Sequence, residues 1–349
     1  MWNRRRWIGQ WACAALGSVP LGAAAETLPP QARKPATRLV MAVSNKASFC
    51  YLPITLADRL GYFSSEGLQV EWREFADVQQ SVQAVAAGAA HLYSGTYNSI
   101  LMLQARGQPY QSIVLQGRTP QTVLGVSQQN LGHYQQLQDL RGKKIGVNGL
   151  GTASHRMVRM LLHKAQLDAQ DVTFVSLPQV EAALSAFRRG QVDAIAYTDP
   201  LVTGLEQSGV LRILADARTV RGNADVFGGA MPSGCLGAPA EFVARYPRLC
   251  QGIVNAVVHA LKWLQTASPQ DIIQAVPASY FQGDRALYLA AFGRVREAWS
   301  TDGLMPTDGP VTAARVLNLL DEELMPTPWD LSSTYTNEFA RKAKLQFRA

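Results

Sequence analysis

Short apolar runs alternate with stretches of helical periodicity along most of this chain, and this alternation limits the fold more than any other feature. Residues 39–43 are apolar, residues 53–60 have helical spacing and end at Gly61, and residues 68–72 alternate apolar with polar side chains. The same order recurs up to about residue 214. Strands separated by helices build mostly parallel sheets. The sequence therefore predicts an α/β fold of two ordinary-sized domains, followed by a largely helical C-terminal part.

The first 25 residues have the composition of an export signal. Arg4, Arg5 and Arg6 precede a weakly apolar stretch over residues 7–21, and residues 23–25 are alanines suited to cleavage. Three arginines followed by bulky apolar residues also fit a twin-arginine signal, so the general secretory and twin-arginine routes both stay open. Residues 26–37, rich in proline and alanine, are predicted to be a disordered lead-in.

The charge and cysteine patterns exclude several classes of function. The formal net charge is +7, three units of which lie in the export signal, and the other basic residues are scattered. No basic stripe with interleaved aromatics is present, so we expect no nucleic-acid partner. No later run reaches the roughly 18 apolar residues of a membrane span. Cys50, Cys235 and Cys250 form no metal-binding motif. A disulfide between Cys235 and Cys250, the pair closer in sequence, stays open.

Residues 140–155 combine a strand, a glycine loop and the start of a helix. Residues 145–147 are apolar, Gly149 and Gly151 allow a sharp turn, and Thr152 or Ser154 is placed to cap a helix. A helix start offers unpaired N–H groups to an anion. The loop lacks the glycine–lysine end of a phosphate-binding loop and the third glycine of a dinucleotide fingerprint. Both an anion site and an ordinary strand-to-helix turn remain interpretations of this segment.

Two segments share one layout. Residues 88–96 (GAAHLYSGT) and 190–198 (GQVDAIAYT) each place a glycine at a helix end, a short link, and a strand that ends in small polar residues. Such strand ends line ligand crevices in open α/β sheets. The correspondence favours two lobes whose equivalent strand ends face each other across a binding cleft.

The residue types of an active site are not arranged in a catalytic pattern. The chain has no HExxH, Gly-x-Ser-x-Gly or Ser-x-x-Lys motif. Of its five histidines, only His155 lies at the glycine loop, whereas His259 lies in an apolar helix and is expected to be a core residue. We therefore expect no catalytic residue, no metal and no cofactor, but a polar cradle for a ligand.

Several motifs resemble a known family. Residues 51–70 read YLPITLADRLGYFSSEGLQV and closely resemble the opening of the nitrate/sulfonate/taurine-type solute-binding proteins of ABC importers, which share their fold with thiamine-pyrimidine synthase proteins. Residues 140–147 (LRGKKIGV) and 190–194 (GQVDA), and Pro200, resemble motifs of the family's second lobe. Asp271, after Ser268 and Pro269, resembles its C-terminal helical region. The resemblance covers about residues 38–325.

This resemblance implies a type II periplasmic-binding fold with two α/β lobes, a hinge and a ligand cleft. Lobe 1 would comprise residues 38–126 and 226–349, and lobe 2 residues 127–225. The protein would be a periplasmic monomer that closes on a small organic, anionic solute (a sulfonate, nitrate, carboxylate or pyrimidine-like molecule) and delivers it to an ABC permease in the inner membrane. His91 replaces the family's usual aspartate, so the ligand's identity stays open.

Candidate ligand-binding residues follow from position at strand ends, the crossovers and the glycine loop. They are Ser48, Phe49, Tyr51, Asp77, Ser94, Thr96, Tyr97, Arg118, Gly151, Thr152, Ser154, Tyr197, Thr198 and Asp199. Arg118 is suited to grip a carboxylate or sulfonate with two hydrogen bonds, although a surface arginine is an equal alternative. The three tyrosines are candidates to stack on a planar ligand, with core packing as the alternative. An enzyme of the thiamine-pyrimidine synthase type and a sensor subunit of a membrane receptor are the alternative functions.

Overall fold

A computed structural model of the chain describes residues 36–321 and 328–349. The predicted export signal and most of the predicted lead-in lie outside these residues. Thr37, placed at the end of the lead-in by the sequence, is already the first residue of a strand. None of the described helices is long and apolar enough to cross a bilayer.

Ten strands of the described residues form two five-stranded sheets. They are β1 (Thr37–Ser44), β2 (Leu68–Phe75), β3 (Leu92–Thr96), β4 (Tyr110–Leu115), β5 (Val123–Ser127), β6 (Lys144–Val147), β7 (Thr173–Ser176), β8 (Ala194–Tyr197), β9 (Leu211–Asp216) and β10 (Gly234–Pro239). The order is β2-β1-β3-β10-β4 in the first sheet and β7-β6-β8-β5-β9 in the second.

The α-helices of the described residues fill the connections and cover the sheets. They are α1 (Leu52–Arg59), α2 (Tyr62–Ser65), α3 (Val78–Ala86), α4 (Tyr97–Ala105), α5 (Ala153–Lys164), α6 (Val180–Arg188), α7 (Leu201–Gln207), α8 (Val220–Phe227), α9 (Ala240–Arg245), α10 (Pro247–Thr266), α11 (Pro269–Ala275), α12 (Arg285–Val295), α13 (Gly309–Leu320) and α14 (Glu338–Phe347).

The two sheets have the same topology. In the first, β1 pairs in parallel with β2 and β3, and β10 runs antiparallel between β3 and β4. In the second, β6 pairs in parallel with β7 and β8, and β5 runs antiparallel between β8 and β9. The strands β3 and β8, which carry the corresponding segments found in the sequence, occupy equivalent positions. The predicted internal correspondence is therefore confirmed, and the mainly parallel sheets each contain one reversed strand.

The reversed strands correct two sequence expectations. The boundary at residues 126/127 places β5 in lobe 1, but β5 pairs with β8 and β9 of the second sheet. Residues 123–126 therefore belong to the second sheet rather than to the first. The sequence also predicts a largely helical C-terminal part without a strand at residues 234–239, whereas these residues form β10. Glycine and proline are uncommon inside strands, so Gly234, Gly237 and Pro239 weaken the sequence signal that would predict a strand here.

Helix α10 organises the core of the first lobe. Its buried face includes Ile253, Val254, Val257 and Leu261, and it packs between α1 and α14. A second buried cluster is continuous from the first sheet through Leu317 of α13 to Ile145 of the second sheet. The two lobes therefore share packed side chains in addition to their chain connections.

The three cysteines of the described residues are free thiols. The pairing of Cys235 with Cys250 is therefore not formed. Burial raises the pKa of the Cys235 and Cys250 thiols to about 12, so both stay protonated at neutral pH. Buried, protonated thiols of this kind act as small apolar side chains.

Candidate functional site

Two crossovers join the sheets and run side by side: residues 116–122 (the first crossover) and residues 217–233 (the second crossover). Ser233 N donates to Gly117 O at 2.9 Å, and Ala217 N donates to Thr122 O at 2.9 Å. A third segment lies against them, because Arg118 N donates to Ala298 O at 2.8 Å. The crossovers therefore form one hydrogen-bonded hinge region rather than two independent linkers.

Arg118 projects from this hinge without an acidic partner. Its Nε donates to the carbonyl oxygen of Glu297 at 2.8 Å, and its side chain is half-buried. The Glu297 carboxylate is engaged elsewhere, since it accepts a hydrogen bond from Val220 N at 3.0 Å. Within residues 36–321 and 328–349, no carboxylate forms an ion pair with Arg118. The two terminal nitrogens of its guanidinium are thus able to bind an external anion with two hydrogen bonds.

The polar candidate residues of the first lobe differ in burial and in hydrogen-bond partners. Ser94 is buried and accepts a hydrogen bond from Gln116 Nε2 at 2.9 Å, which attaches β3 to the first crossover. Thr96, half-buried, lies with its Oγ1 3.1 Å from Ser99 Oγ. Asp77 is exposed and caps α3 by accepting from Gln80 N at 2.8 Å. Ser48 Oγ lies 3.2 Å from Cys50 Sγ. Ser94 is the member of this group that the structure connects directly to the hinge.

The aromatic candidates lie in the core. Phe49, Tyr51, Tyr97 and Tyr197 are 3%, 5%, 0% and 2% exposed. The Tyr97 hydroxyl lies 2.5 Å from Thr334 Oγ1, and the Tyr197 hydroxyl donates to Leu177 O at 3.1 Å. Burial raises the pKa of both hydroxyls above its usual range. Since protein atoms cover these rings, they pack in the core in this structure and are not exposed for stacking on a solute.

The acidic candidate of the second lobe is held by a buried arginine that sequence reasoning missed. Asp199 Oδ1 accepts from Thr203 N at 2.8 Å, and its Oδ2 accepts from Arg218 Nη1 at 3.0 Å. Arg218 also binds Asp216, with Nη2 2.6 Å from Oδ2. Thr198, half-buried, precedes a cis Asp199–Pro200 bond. The carboxylate of Asp199 therefore fixes the end of β8, and a single sequence gives no signal for its pairing with Arg218.

The glycine loop leads from β6 into α5. Gly151 has a φ of +75°, and its N–H donates to His155 Nδ1 at 3.0 Å. Thr152 Oγ1 donates to Gly149 O at 2.7 Å, and Ser154 Oγ accepts from Asn148 N at 3.0 Å. The Gly151 N–H is therefore bonded to the neutral imidazole within the loop and is not presented to an anion in this structure. Among the described residues, no acceptor binds the N–H groups of residues 153–155, so the first turn of α5 keeps its donors.

Comparison with known proteins identifies the family. A family model described as "NMT1/THI5 like" matches residues 48–271. The chain belongs to this family. It is 41% identical to a protein of Bordetella bronchiseptica RB50 whose solved structure gives a TM-score of 0.81, over 89% of this chain and 98% of that chain.

More distant relatives support the predicted fold. The periplasmic aliphatic sulphonate binding protein SsuA from Escherichia coli gives a TM-score of 0.70 at 18% identity, over 88% of this chain and 100% of its own. The riboflavin-binding protein RibY from Chloroflexus aurantiacus is 23% identical over 342 residues, covering 94% of this chain and 93% of RibY. The predicted family and the predicted periplasmic-binding fold are confirmed, and relatives with this fold are named for different solutes.

Two surface pockets, called hollows below, lie outside the hinge region of this NMT1/THI5-like protein. One, of about 600 Å³, lies between α13 and Trp329. The other, of about 400 Å³, lies between α7 of the second lobe and the start of α12. Beside it, Arg294 Nη2 lies 3.5 Å from Glu206 Oε2, so α12 and α7 form a further contact between the lobes. None of the candidate ligand-binding residues lines either hollow.

His155 makes the stability of this family member dependent on pH. Burial, with Arg159 and Arg156 nearby, lowers the pKa of His155 to about 4 from 6.5. Between pH 6.5 and pH 4, His155 is protonated in the unfolded chain but neutral in the folded chain. The contribution of His155 to the free energy of unfolding is therefore complete above pH 6.5 and is lost as the pH falls towards 4. We expect this loss to be about 1–2 kcal/mol after allowance for solvent screening.

Urea unfolding at pH 7 and pH 4.5 measures this dependence. His155→Asn keeps an acceptor for the Gly151 N–H but does not titrate, so the decrease in unfolding free energy should be smaller in the variant. His259, whose pKa burial also lowers, contributes equally to both proteins. An identical decrease in wild type and variant would show that His155 is not the titrating group.

Proposed function

We propose that this chain is the exported solute-binding component of an ABC importer and that it binds a small organic anion between its two lobes. The observation that carries the proposal is Arg118, a half-buried arginine without a carboxylate partner, placed where the crossovers join two topologically equivalent lobes. A guanidinium that has no carboxylate partner and keeps its terminal N–H groups free is suited to bind an anionic ligand with two hydrogen bonds.

Other hydrogen-bond donors of the two lobes are consistent with this assignment. We infer that Arg118 acts with Ser94 and Thr96 of β3, and with Thr152, Ser154 and the free N–H groups of α5 across the hinge. Thr198, at the equivalent end of β8, completes the set. A helix start with unpaired N–H groups carries partial positive charge and adds to the attraction of an anion. These groups hold a charged ligand without any nucleophile or general base.

Family membership supports the cellular setting. The named relatives are binding proteins, and SsuA is periplasmic by name. The N-terminal sequence has the composition of an export signal. We therefore infer a periplasmic protein, acting as a monomer without catalytic activity, that delivers its solute to a permease in the inner membrane. The names of the relatives do not fix the solute, and the anionic class rests on Arg118.

Calorimetric titration of the purified chain against a panel of solutes tests the proposal. The panel contains nitrate, ethanesulfonate, taurine, benzoate, orotate and riboflavin. We expect at least one anion to bind with a micromolar dissociation constant at one site per chain, and mass spectrometry to recover it unchanged. A solute at one hundred times its dissociation constant should stabilise the chain by about 2.7 kcal/mol. Conversion of the solute would indicate an enzyme, and co-purification with a receptor kinase instead of a permease would indicate a sensor.

A further inference from the structure

Three neighbouring side chains of the first crossover are buried and each has a polar atom without a partner. They are Gln116, Thr119 and Gln121, which are 0%, 1% and 2% exposed. Within the part of the chain that the structure describes, Gln116 Oε1, Thr119 Oγ1 and Gln121 Nε2 form no hydrogen bond. Proteins bond almost all of their buried polar atoms, and an unbonded one lowers stability. Three such atoms within six residues indicate that their hydrogen-bond partners come from outside the chain.

The first of these side chains is held in a fixed position. Gln116 N donates to Gly234 O at 2.7 Å, and Gln116 O accepts from Ser300 N at 2.8 Å. Its Nε2 donates to Ser94 Oγ at 2.9 Å, and its Oε1 is therefore presented as an acceptor in a defined direction. A preorganised acceptor recognises an N–H or O–H group without first paying the cost of ordering itself.

The third side chain sits on a strained backbone. Gln121 has a φ of +58°, in the left-handed region that residues other than glycine seldom adopt. Strain of this kind persists where the surroundings require one conformation, and it concentrates at ligand clamps and hinges. Gln121 joins the crossover to β5, so its conformation sets the direction in which the chain enters the second lobe.

Two further unpaired acceptors lie on helices, one beside the first sheet's strand β3 and one within the second crossover. Asn98 Oδ1 is in the first turn of α4, directly after β3, and Asn223 Oδ1 is in α8 of the second crossover. Both side chains are buried. Unpaired acceptors therefore outnumber unpaired amide donors around the hinge, and a ligand that satisfies them must itself carry hydrogen-bond donors.

We propose that the first crossover determines the specificity of the site, and that the solute carries N–H or O–H donors beside its anionic group. Arg118 binds the anionic group, and Gln116, Thr119 and Gln121 bind the polar organic part. The class includes anions with amino, amide, ureide or pyrimidinedione groups. Nitrate and unsubstituted sulfonates, which only accept hydrogen bonds, are disfavoured because they leave the acceptors of the crossover unpaired. This inference rests on the proposed function.

Removing one buried hydroxyl without changing the side chain's shape distinguishes an effect on ligand affinity from an effect on the stability of the ligand-free chain. Thr119→Val deletes an unpaired buried hydroxyl, so the ligand-free chain should melt at the same or a higher temperature. Affinity for the donor-bearing solute should nevertheless decrease about tenfold, the effect of one lost hydrogen bond. Gln121→Met is the second variant and should give the same pattern. Thr55→Val is the matched control, because it deletes another buried hydroxyl on α1, outside both crossovers, and should leave affinity unchanged.

Two matched pairs of probes test the class of solute: taurine against ethanesulfonate, and orotate against benzoate. We expect the donor-bearing member of at least one pair to bind wild type ten times more tightly, and Thr119→Val to reduce that preference. Equal binding within both pairs, or unchanged affinity in both crossover variants, would overturn this inference and leave the proposed function standing. Failure of every anionic probe to bind wild type would overturn both.

Discussion

Replacing Arg118 with glutamine is expected to weaken binding of an anionic solute about one hundredfold. A hydrogen bond between charged groups contributes about 1.5–3 kcal/mol, and a factor of ten in affinity corresponds to about 1.4 kcal/mol. Glutamine retains an N–H group that is able to reach the carbonyl oxygen of Glu297, the single hydrogen bond that the Arg118 side chain makes to the described residues. The melting temperature of the ligand-free chain should therefore change little.

Two further variants control for charge and for geometry. Arg118→Lys keeps the positive charge but not the planar two-pronged donor, so it should recover only part of the affinity. Arg106→Gln removes an equivalent charge at the exposed C-terminal end of α4 and should have no effect. Calorimetric titration of the four proteins with the solute found for wild type measures the series. Wild-type affinity in Arg118→Gln would remove Arg118 from the site and with it the argument for an anion.

Replacing Arg218 with methionine is expected to destabilise the chain by about 3–5 kcal/mol, the usual cost of leaving buried charges without their partner. The Arg218 side chain is 1% exposed and forms ion pairs with Asp199 at 3.0 Å and with Asp216 at 2.6 Å. The Asp199 side chain is fully buried. Without the guanidinium, both carboxylates lose their counter-charge, and the melting temperature should decrease by on the order of 10 °C.

Arg221→Met is the matched control for this prediction. The Arg221 side chain is 93% exposed and pairs only loosely with Asp225 at 3.9 Å. Exposed pairs of this kind contribute at most about 1 kcal/mol, so the control should unfold close to wild type. Thermal unfolding followed by circular dichroism compares the two variants. Equal melting temperatures would mean that the buried ion pairs do not stabilise the connection between β8 and β9.

The order of strands and helices was largely predictable because local periodicity encodes it. Apolar runs such as residues 39–43 and 145–147 and the helical spacing of residues 180–189 need no tertiary information. The strand β10 was not predictable in this way, since its glycines and proline weaken the local signal and pairing with β3 and β4 defines it. The lobe assignment of β5 failed for the same reason, because the choice of sheet depends on contacts distant in sequence.

The site was predictable only in part. Arg118 was identifiable from its position after an apolar strand. Its lack of a partner became visible only when the neighbouring carboxylates were placed, as with the Glu297 carboxylate that accepts from Val220. The burial of Tyr97 beside Thr334 and the capture of the Gly151 N–H by His155 depend on packing that one sequence does not contain. The buried glutamines of the first crossover were missed because polar residues between strands usually indicate an exposed loop.

The most direct test of capture between two lobes is small-angle X-ray scattering during titration with the solute that calorimetry finds for wild type. If the hinge residues close around the solute, the radius of gyration should decrease in proportion to the bound fraction, and Arg118→Gln should require about one hundred times more solute for the same decrease. A radius of gyration that stays constant up to saturation of wild type would contradict the account.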